Sequence, residues 1–327
     1  MNRRNAMLAL AAVGAVTVPG RLLAQAPRMR RIGLLVPFAA ERSRSRILFR
    51  ERLHRLGWTE GVNLEIEVRS ADNRLDRFPE LVNELIARGV EVIIVSTTPG
   101  AQAAKKATST IPIVFTLVAD PVGSGLVASL ARPGANVTGV SNLIVEIAPK
   151  QIELLKALVP NLERVSMLHT PAMGPVAGVM LAQLQKAATQ ASVALIRVDA
   201  DKVEELESAF ATAVQAQARG VIVPPAPLYF SEIKHIVQLA KKYRIATVFA
   251  NRDQVAAGGL ASYGVDFADA FARSAPYVDK ILRGTKPADL PVEQADRFET
   301  AINRKTAAEL GLKIPPEVLL RATEVIE

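Results

Sequence analysis

The chain has 327 residues, half of them hydrophobic, with no cysteine and a formal net charge of +8. Disulfides, thiol chemistry and a cysteine-linked lipid anchor are thereby excluded, and after the N-terminus no apolar run reaches the ~18 residues of a membrane-spanning helix. The positive charge is not gathered into Lys/Arg blocks, and no helix-turn-helix start or RNA-binding aromatic pair accompanies it, so no nucleic-acid partner is expected.

Residues 1–26 read as an export signal. Arg3 and Arg4 make a basic start, 6–18 is apolar throughout, and Ala24-Gln25-Ala26 puts small residues where a signal peptidase reads. Cleavage is expected near Ala26, giving a periplasmic protein without a lipid anchor. The Arg-Arg pair suits twin-arginine export, but Ala6 stands where that signal prefers Phe, so the general secretory route stays open. Loss of the arginines at 3, 4 and 21 lowers the net charge from +8 to +5. The remaining chain, of about 300 residues, is long enough for two domains.

From residue 31 onward, short β-branched runs alternate with amphipathic helical stretches. Strands are expected at 31–38, 64–71, 90–97, 111–118 and 136–142, with helices at 41–57, 77–89 and a short one starting at Ala101. The pattern then restarts, with strands at 164–171, 193–200, 220–225 and 245–251 and helices at 174–192, 203–218 and 230–244. A last strand at 259–266 leads into a helix at 267–284 and a proline-broken tail. Such alternation calls for α/β architecture, with two doubly wound parallel-sheet lobes and a ligand cleft where strand C-termini face one another. The expected division is a first lobe over 27–142, a second over 143–258, and a crossing strand, helix and tail over 259–327 that partly returns to the first.

Three blocks carry a specific resemblance: "TIPIVFTLVADPVGSGLVASLARPGANVTGVSN", "GGLASYGVDFADAFARSAPYVDKILRGTKPADLPVEQ" and "INRKTAAELGLKIPPEVLLRATEVI". Through them the chain resembles the ABC-transporter substrate-binding proteins often labelled tryptophan/tyrosine-type, with the type I periplasmic-binding fold. The resemblance implies two lobes joined by a three-segment hinge and closing on a small ligand, an amino acid or an aromatic or carboxylate compound. It also implies an ABC permease as partner, a monomer, no cofactor and no catalysis. A sensor module for a membrane receptor, or an extracytoplasmic enzyme, remain the alternatives. Relatives carry a W-N-P-x-N-P-like segment where this chain has "LHTPAMGP", so Thr170 and Met173 replace two amides there.

Chemistry is sparse along the chain. His54 and His235 fall within helices, and His169 ends a strand without a nucleophile elbow or a spaced carboxylate. No metal-ligand spacing occurs. The loop "ADPVGSG" (119–125) lacks both the lysine of a P-loop and the third glycine of a dinucleotide loop; its glycines are expected to open a helix at 126–131.

Ligand candidates are therefore the loops that leave strand C-termini. In the first half these are Phe38, then Ser96, Thr97 and Thr98, then Asp120, then Ser141 and Asn142; in the second half they are the loops His169-Thr170-Pro171, Pro224-Pro225-Ala226-Pro227 and Asn251-Arg252-Asp253, and the chosen candidates are Thr170, Tyr229 and Asp266. The hydroxyls at 96–98 precede a helix and suit a carboxylate, by hydrogen bonding and by the positive helix end. Asp120 and Asp266 suit an ammonium, although each equally suits a helix cap. Phe38, Tyr229, Phe230 and Tyr263 are the aromatics near strand ends. Arg42, Arg44 and Arg46, in "ERSRSRILFRER", fall near the cleft mouth, either as a solvated face or as recognition of a second carboxylate.

Overall fold

In the computed structural model, residues 29–38, 43–142 and 147–327 are described. The export signal and Arg42 lie outside them. No helix among the described residues is long and apolar enough to cross a membrane.

The strands sort into two sheets. The first is built from β1 (Arg30–Val36), β2 (Leu64–Ser70), β3 (Val92–Val95), β4 (Ile113–Val118) and β5 (Val137–Ser141). The second holds β6 (Arg164–His169), β7 (Ala194–Asp199), β8 (Gly220–Val223), β9 (Ala246–Phe249) and β10 (Ala261–Val265). The tail adds β11 (Glu293–Gln294) to the first sheet, and β12 (Phe298–Asn303) and β13 (Glu324–Ile326) to the second. The orders are β11-β5-β4-β3-β1-β2 and β13-β12-β10-β9-β8-β6-β7. All pairings are parallel except β10 with β12. Short runs such as VIIV (β3), GVIV (β8) and ATVF (β9) are buried along their whole length, as strands covered on both faces must be.

Between the sheets the chain crosses three times: after β5 into the helix Ala148–Leu158, after β10 into the helix Phe267–Ala272, and from β11 into β12. The helices Phe267–Ala272 and Ser274–Leu282 pack on the first sheet beside the helix Arg44–Arg55. Phe49 and Phe271 meet there edge to face, with ring centroids 5.4 Å apart. The expected single helix at 267–284 is thus two helices joined at Arg273. The elements of the proline-broken tail include the strands β11, β12 and β13.

The helix expected at 126–131 does not form. Residues 120–135 turn irregularly, held by Lys105 Nζ on the Gly125 carbonyl (2.6 Å) and by Gln102 Nε2 on the Ser124 carbonyl (3.3 Å). Gly125 is left-handed with φ 69° at the entry and Pro133 disfavours helical backbone at Arg132, so the stretch is bounded at both ends and too short to hold a helix unaided.

Candidate functional site

A cavity of about 360 Å³ lies between the C-terminal ends of the two sheets, within the size range of small-ligand sites. Its first wall comes from loops after β1, β3 and β4, and its second from loops after β6, β8 and β9. Phe267 and Phe271, just past the second crossing, close one side, and Asn142, just past the first, also faces the space.

Two helices of the first lobe begin at this wall. Thr97 caps the helix Thr98–Ala107, its side chain accepting from the Gly100 N–H at 3.2 Å, and Ser43 caps the helix Arg44–Arg55 through the Arg46 N–H at 3.4 Å. Ser96 and Thr98 line the cavity half-buried, and their hydroxyls make no hydrogen bond within the protein among the described residues. Two positive helix ends and two available hydroxyls make this wall suited to an anionic group.

The strand beneath is distorted at the same place. Register shifts between Thr116 and Val118, and Leu117 adopts φ 59°, a left-handed conformation that a bulky side chain rarely takes. The bulge turns Leu117 into the cavity wall. Its carbonyl accepts from Asn142 Nδ2 at 2.8 Å, and the Asn142 N–H reaches the Val118 carbonyl at 3.0 Å. Bulges of this kind re-aim side chains beside binding sites.

Aromatic rings span the gap. Phe38 from the first lobe stacks on Phe230 from the second at 6.1 Å, and Phe230 meets Phe267 at 5.9 Å. With Leu75, Met173 and Val176 they give an apolar chamber. Among the described residues, the charged groups that line it are Arg46, which is 4% exposed, and Asp253 on the second wall.

Of the sequence candidates, Phe38, Ser96, Thr97, Thr98 and Asn142 come together at this cavity. The others have polar atoms engaged elsewhere. Asp120 is exposed and bends over its own loop, Oδ1 accepting from the Gly123 N–H at 2.7 Å. Ser141 is buried and donates to the Glu293 carbonyl at 3.3 Å, tying β11 to β5. Thr170 caps the short turn Pro171–Met173 and bonds to Asp201. Tyr229 is wholly buried, its hydroxyl donating to the Ala200 carbonyl at 2.8 Å, and burial holds that phenol well above its ordinary pKa.

Asp266 is 2% exposed. It caps the helix Phe267–Ala272 through two N–H groups and accepts from both terminal nitrogens of Arg44, Nη1 and Nη2, at 3.0 and 3.2 Å. Arg44 is thereby a hinge residue rather than part of a solvated face, whereas Arg46 does reach the cavity. Tyr263 stacks on Phe298 at 6.0 Å beside the third crossing, and His169 is paired with Asp199 at 2.7 Å, away from the cavity lining.

Asp253 belongs to a loop expected at the cleft, although it is not among the acids expected to meet an ammonium, and Phe271 is not expected there at all. Asp253 had a signal, since "NRD" (251–253) leaves a strand C-terminus as the other lining loops do. Phe271 had none, because it depends on how the helix after the second crossing folds back on the first sheet.

Known proteins match this architecture over most of the chain. A curated tyrosine-binding protein of Clostridioides difficile (strain R20291) is 26% identical over 265 residues, covering 81% of this chain and 76% of that one. A conserved domain protein of Vibrio cholerae superposes with a TM-score of 0.84 at 29% identity, covering 91% of this chain and all of that one. An ABC domain of Streptococcus pneumoniae in complex with L-Trp gives a TM-score of 0.82 at 26% identity, again over 91% and 100%. The family profile described as ABC transporter substrate binding protein matches residues 42–326, and the chain belongs to that family.

Proposed function

We propose that the protein captures an aromatic amino acid between its lobes outside the cytoplasm and delivers it to an ABC permease. The observation that carries this reading is the chamber itself: Phe38, Phe230 and Phe267 surround an apolar space whose first wall ends in two helix N-termini. The rings take the aromatic side chain. Ser96, Thr98 and the helix start capped by Thr97 take the carboxylate, and Asn142 fixes the floor. The related proteins from Clostridioides difficile and Streptococcus pneumoniae, a tyrosine binder and an L-Trp complex, support the ligand class.

Action is binding and release without covalent chemistry. Micromolar affinity corresponds to about −8 kcal/mol, within reach of ring burial plus a few charge-assisted hydrogen bonds. Export through a signal over 1–26 and release into the periplasm complete the reading.

A thermal-shift screen of the twenty amino acids tests it. An aromatic amino acid at a hundred times its Kd stabilises the protein by about 2.7 kcal/mol, a rise of several degrees in melting temperature, while aspartate or lysine leaves it in place. Absence of stabilisation by any aromatic amino acid would overturn the assignment.

A further inference from the structure

On the aromatic amino-acid reading, the carboxylate end of the ligand has an evident wall and the ammonium end does not. The acids expected for that task, Asp120 and Asp266, are occupied by the Gly123 N–H and by Arg44 with two helix N–H groups. We propose that Asp253 is the specificity-determining residue for the ligand's ammonium group, so that the protein selects amino acids over aromatic acids of the same shape.

Asp253 lines the cavity from the second lobe, facing the wall that carries Ser96 and Thr98 on the first. Its backbone is fixed: Asn251 caps the turn through the Asp253 N–H at 2.8 Å, and the Asp253 carbonyl accepts from the Ala257 N–H at 3.1 Å. The neighbouring Arg252 points away from the cavity, two of its nitrogens paired with Glu324 on β13. Only its third nitrogen reaches Asp253, at 3.4 Å, and no other ion pair to Asp253 occurs among the described residues. The carboxylate is therefore positioned by the chain but only weakly neutralised.

The surroundings favour a cation further. Asp266, Glu299 and Glu324 stand in electrostatic range of Asp253, against Arg44 and Arg252. Arg44 and Arg297 are taken up by Asp266, and Arg252 chiefly by Glu324, so none of these guanidinium groups closely neutralises Asp253. The Asp253 side chain is 46% exposed, so its carboxylate is reachable from the cleft before a ligand arrives. An ammonium beside it gains a charge-assisted hydrogen bond and offsets the neighbouring carboxylates. The first wall, with its helix ends and Arg46, has the opposite character, so a zwitterion enters in one orientation.

Calorimetric titration of the mature protein with L-tryptophan and with indole-3-propionate, which keeps the ring and carboxylate and lacks the ammonium, tests the assignment. Wild type should prefer tryptophan by about tenfold or more. Asp253→Asn should reduce the two affinities to within about twofold of each other, chiefly by loss of tryptophan binding, while Asp253→Glu keeps part of the preference. The Asn variant retains indole-3-propionate binding, which shows that it is folded. An unchanged preference in Asp253→Asn overturns this inference and leaves the aromatic-ligand reading standing. Failure of wild type to bind either compound overturns that reading, and this inference with it.

Discussion

Glu299 shows how one buried group ties stability to pH. It sits on β12 with 8% exposure, beside Asp266 and 3.7 Å from the Arg44 guanidinium. Burial, then the Asp266 charge, raise its pKa to about 7, against a partial pull downward from Arg44 and Arg252. A carboxyl whose folded pKa lies above its unfolded value binds its proton more tightly in the native state. Stability from this group is therefore present at acid pH and lost as pH rises from about 4.5 towards 7. Glu299→Gln should stabilise the protein above pH 7, by up to about 3 kcal/mol, and should change little near pH 5. Melting curves from pH 5 to 8 check this; parallel curves for both proteins would show an ordinary carboxyl. Residues such as Glu67, Asp199 and Glu309, whose pKa values are lowered by Arg88, Arg197 and Lys241 respectively, titrate below this window and do not obscure it.

At the scale of elements, the sequence announced every strand of the first ten, because β-branched runs bounded by turns have few other solutions. It also announced which loops meet at the cleft, since in a doubly wound sheet only strand C-termini face it. It did not announce which side chains of those loops point inward. Tyr229 and Phe230 are adjacent, yet one is buried on the Ala200 carbonyl and the other stacks in the chamber. That choice is made by packing of the helix Pro227–Ser231, which no local pattern records. The same holds for "ADPVGSG": an Asp followed by glycines can open a helix, hold an anion or fold over itself. Here Asp120 folds over Gly123 so closely that a Cβ at 123 would lie 2.0 Å from Oδ2.

Gly139 is the element-scale test. It pairs with Phe115 across β4 and β5 at φ 152°, and a Cβ there would stand 2.0 Å from the Phe115 carbonyl oxygen. Alanine cannot be accommodated by a side-chain shift, because the obstacle is backbone. Gly139→Ala should cost at least ~2 kcal/mol and weaken ligand binding, since β5 delivers Asn142 to the cavity. Gly61→Ala is the matched control, with φ 80° and nothing within 4 Å of the added carbon; it should cost about 1 kcal/mol. Chemical denaturation of the two variants compares them, and equal losses would remove the steric argument.

Across the whole molecule, the lobes are linked by three crossings and by ion pairs placed at them. Arg44 starts a first-lobe helix, holds Asp266 at the second crossing and approaches Glu299 on β12 of the second sheet. One guanidinium thus touches the first lobe, the hinge and the second lobe. Asp266 is nearly inaccessible, whereas Arg44 is 35% exposed on its side chain, so the pair is screened on one side only. Removing Arg44 leaves Asp266 with two N–H groups and the more distant Arg297, 3.8 Å away. Loss of one partner from a buried pair is costly because the remaining charge stays desolvated; the accessible side reduces that here to about 2 kcal/mol. Opening the hinge relieves part of the cost by letting water reach Asp266. Arg44→Met should therefore shift the ligand-free protein towards open forms, raise its radius of gyration in solution scattering, and weaken ligand affinity severalfold. The cavity lining would be unchanged, because Arg44 is not part of it. Saturating ligand should restore the wild-type scattering curve, as expected when a ligand draws a hinge equilibrium back to its closed side. Scattering identical to wild type without ligand would mean that Arg44 stabilises the hinge without biasing its angle.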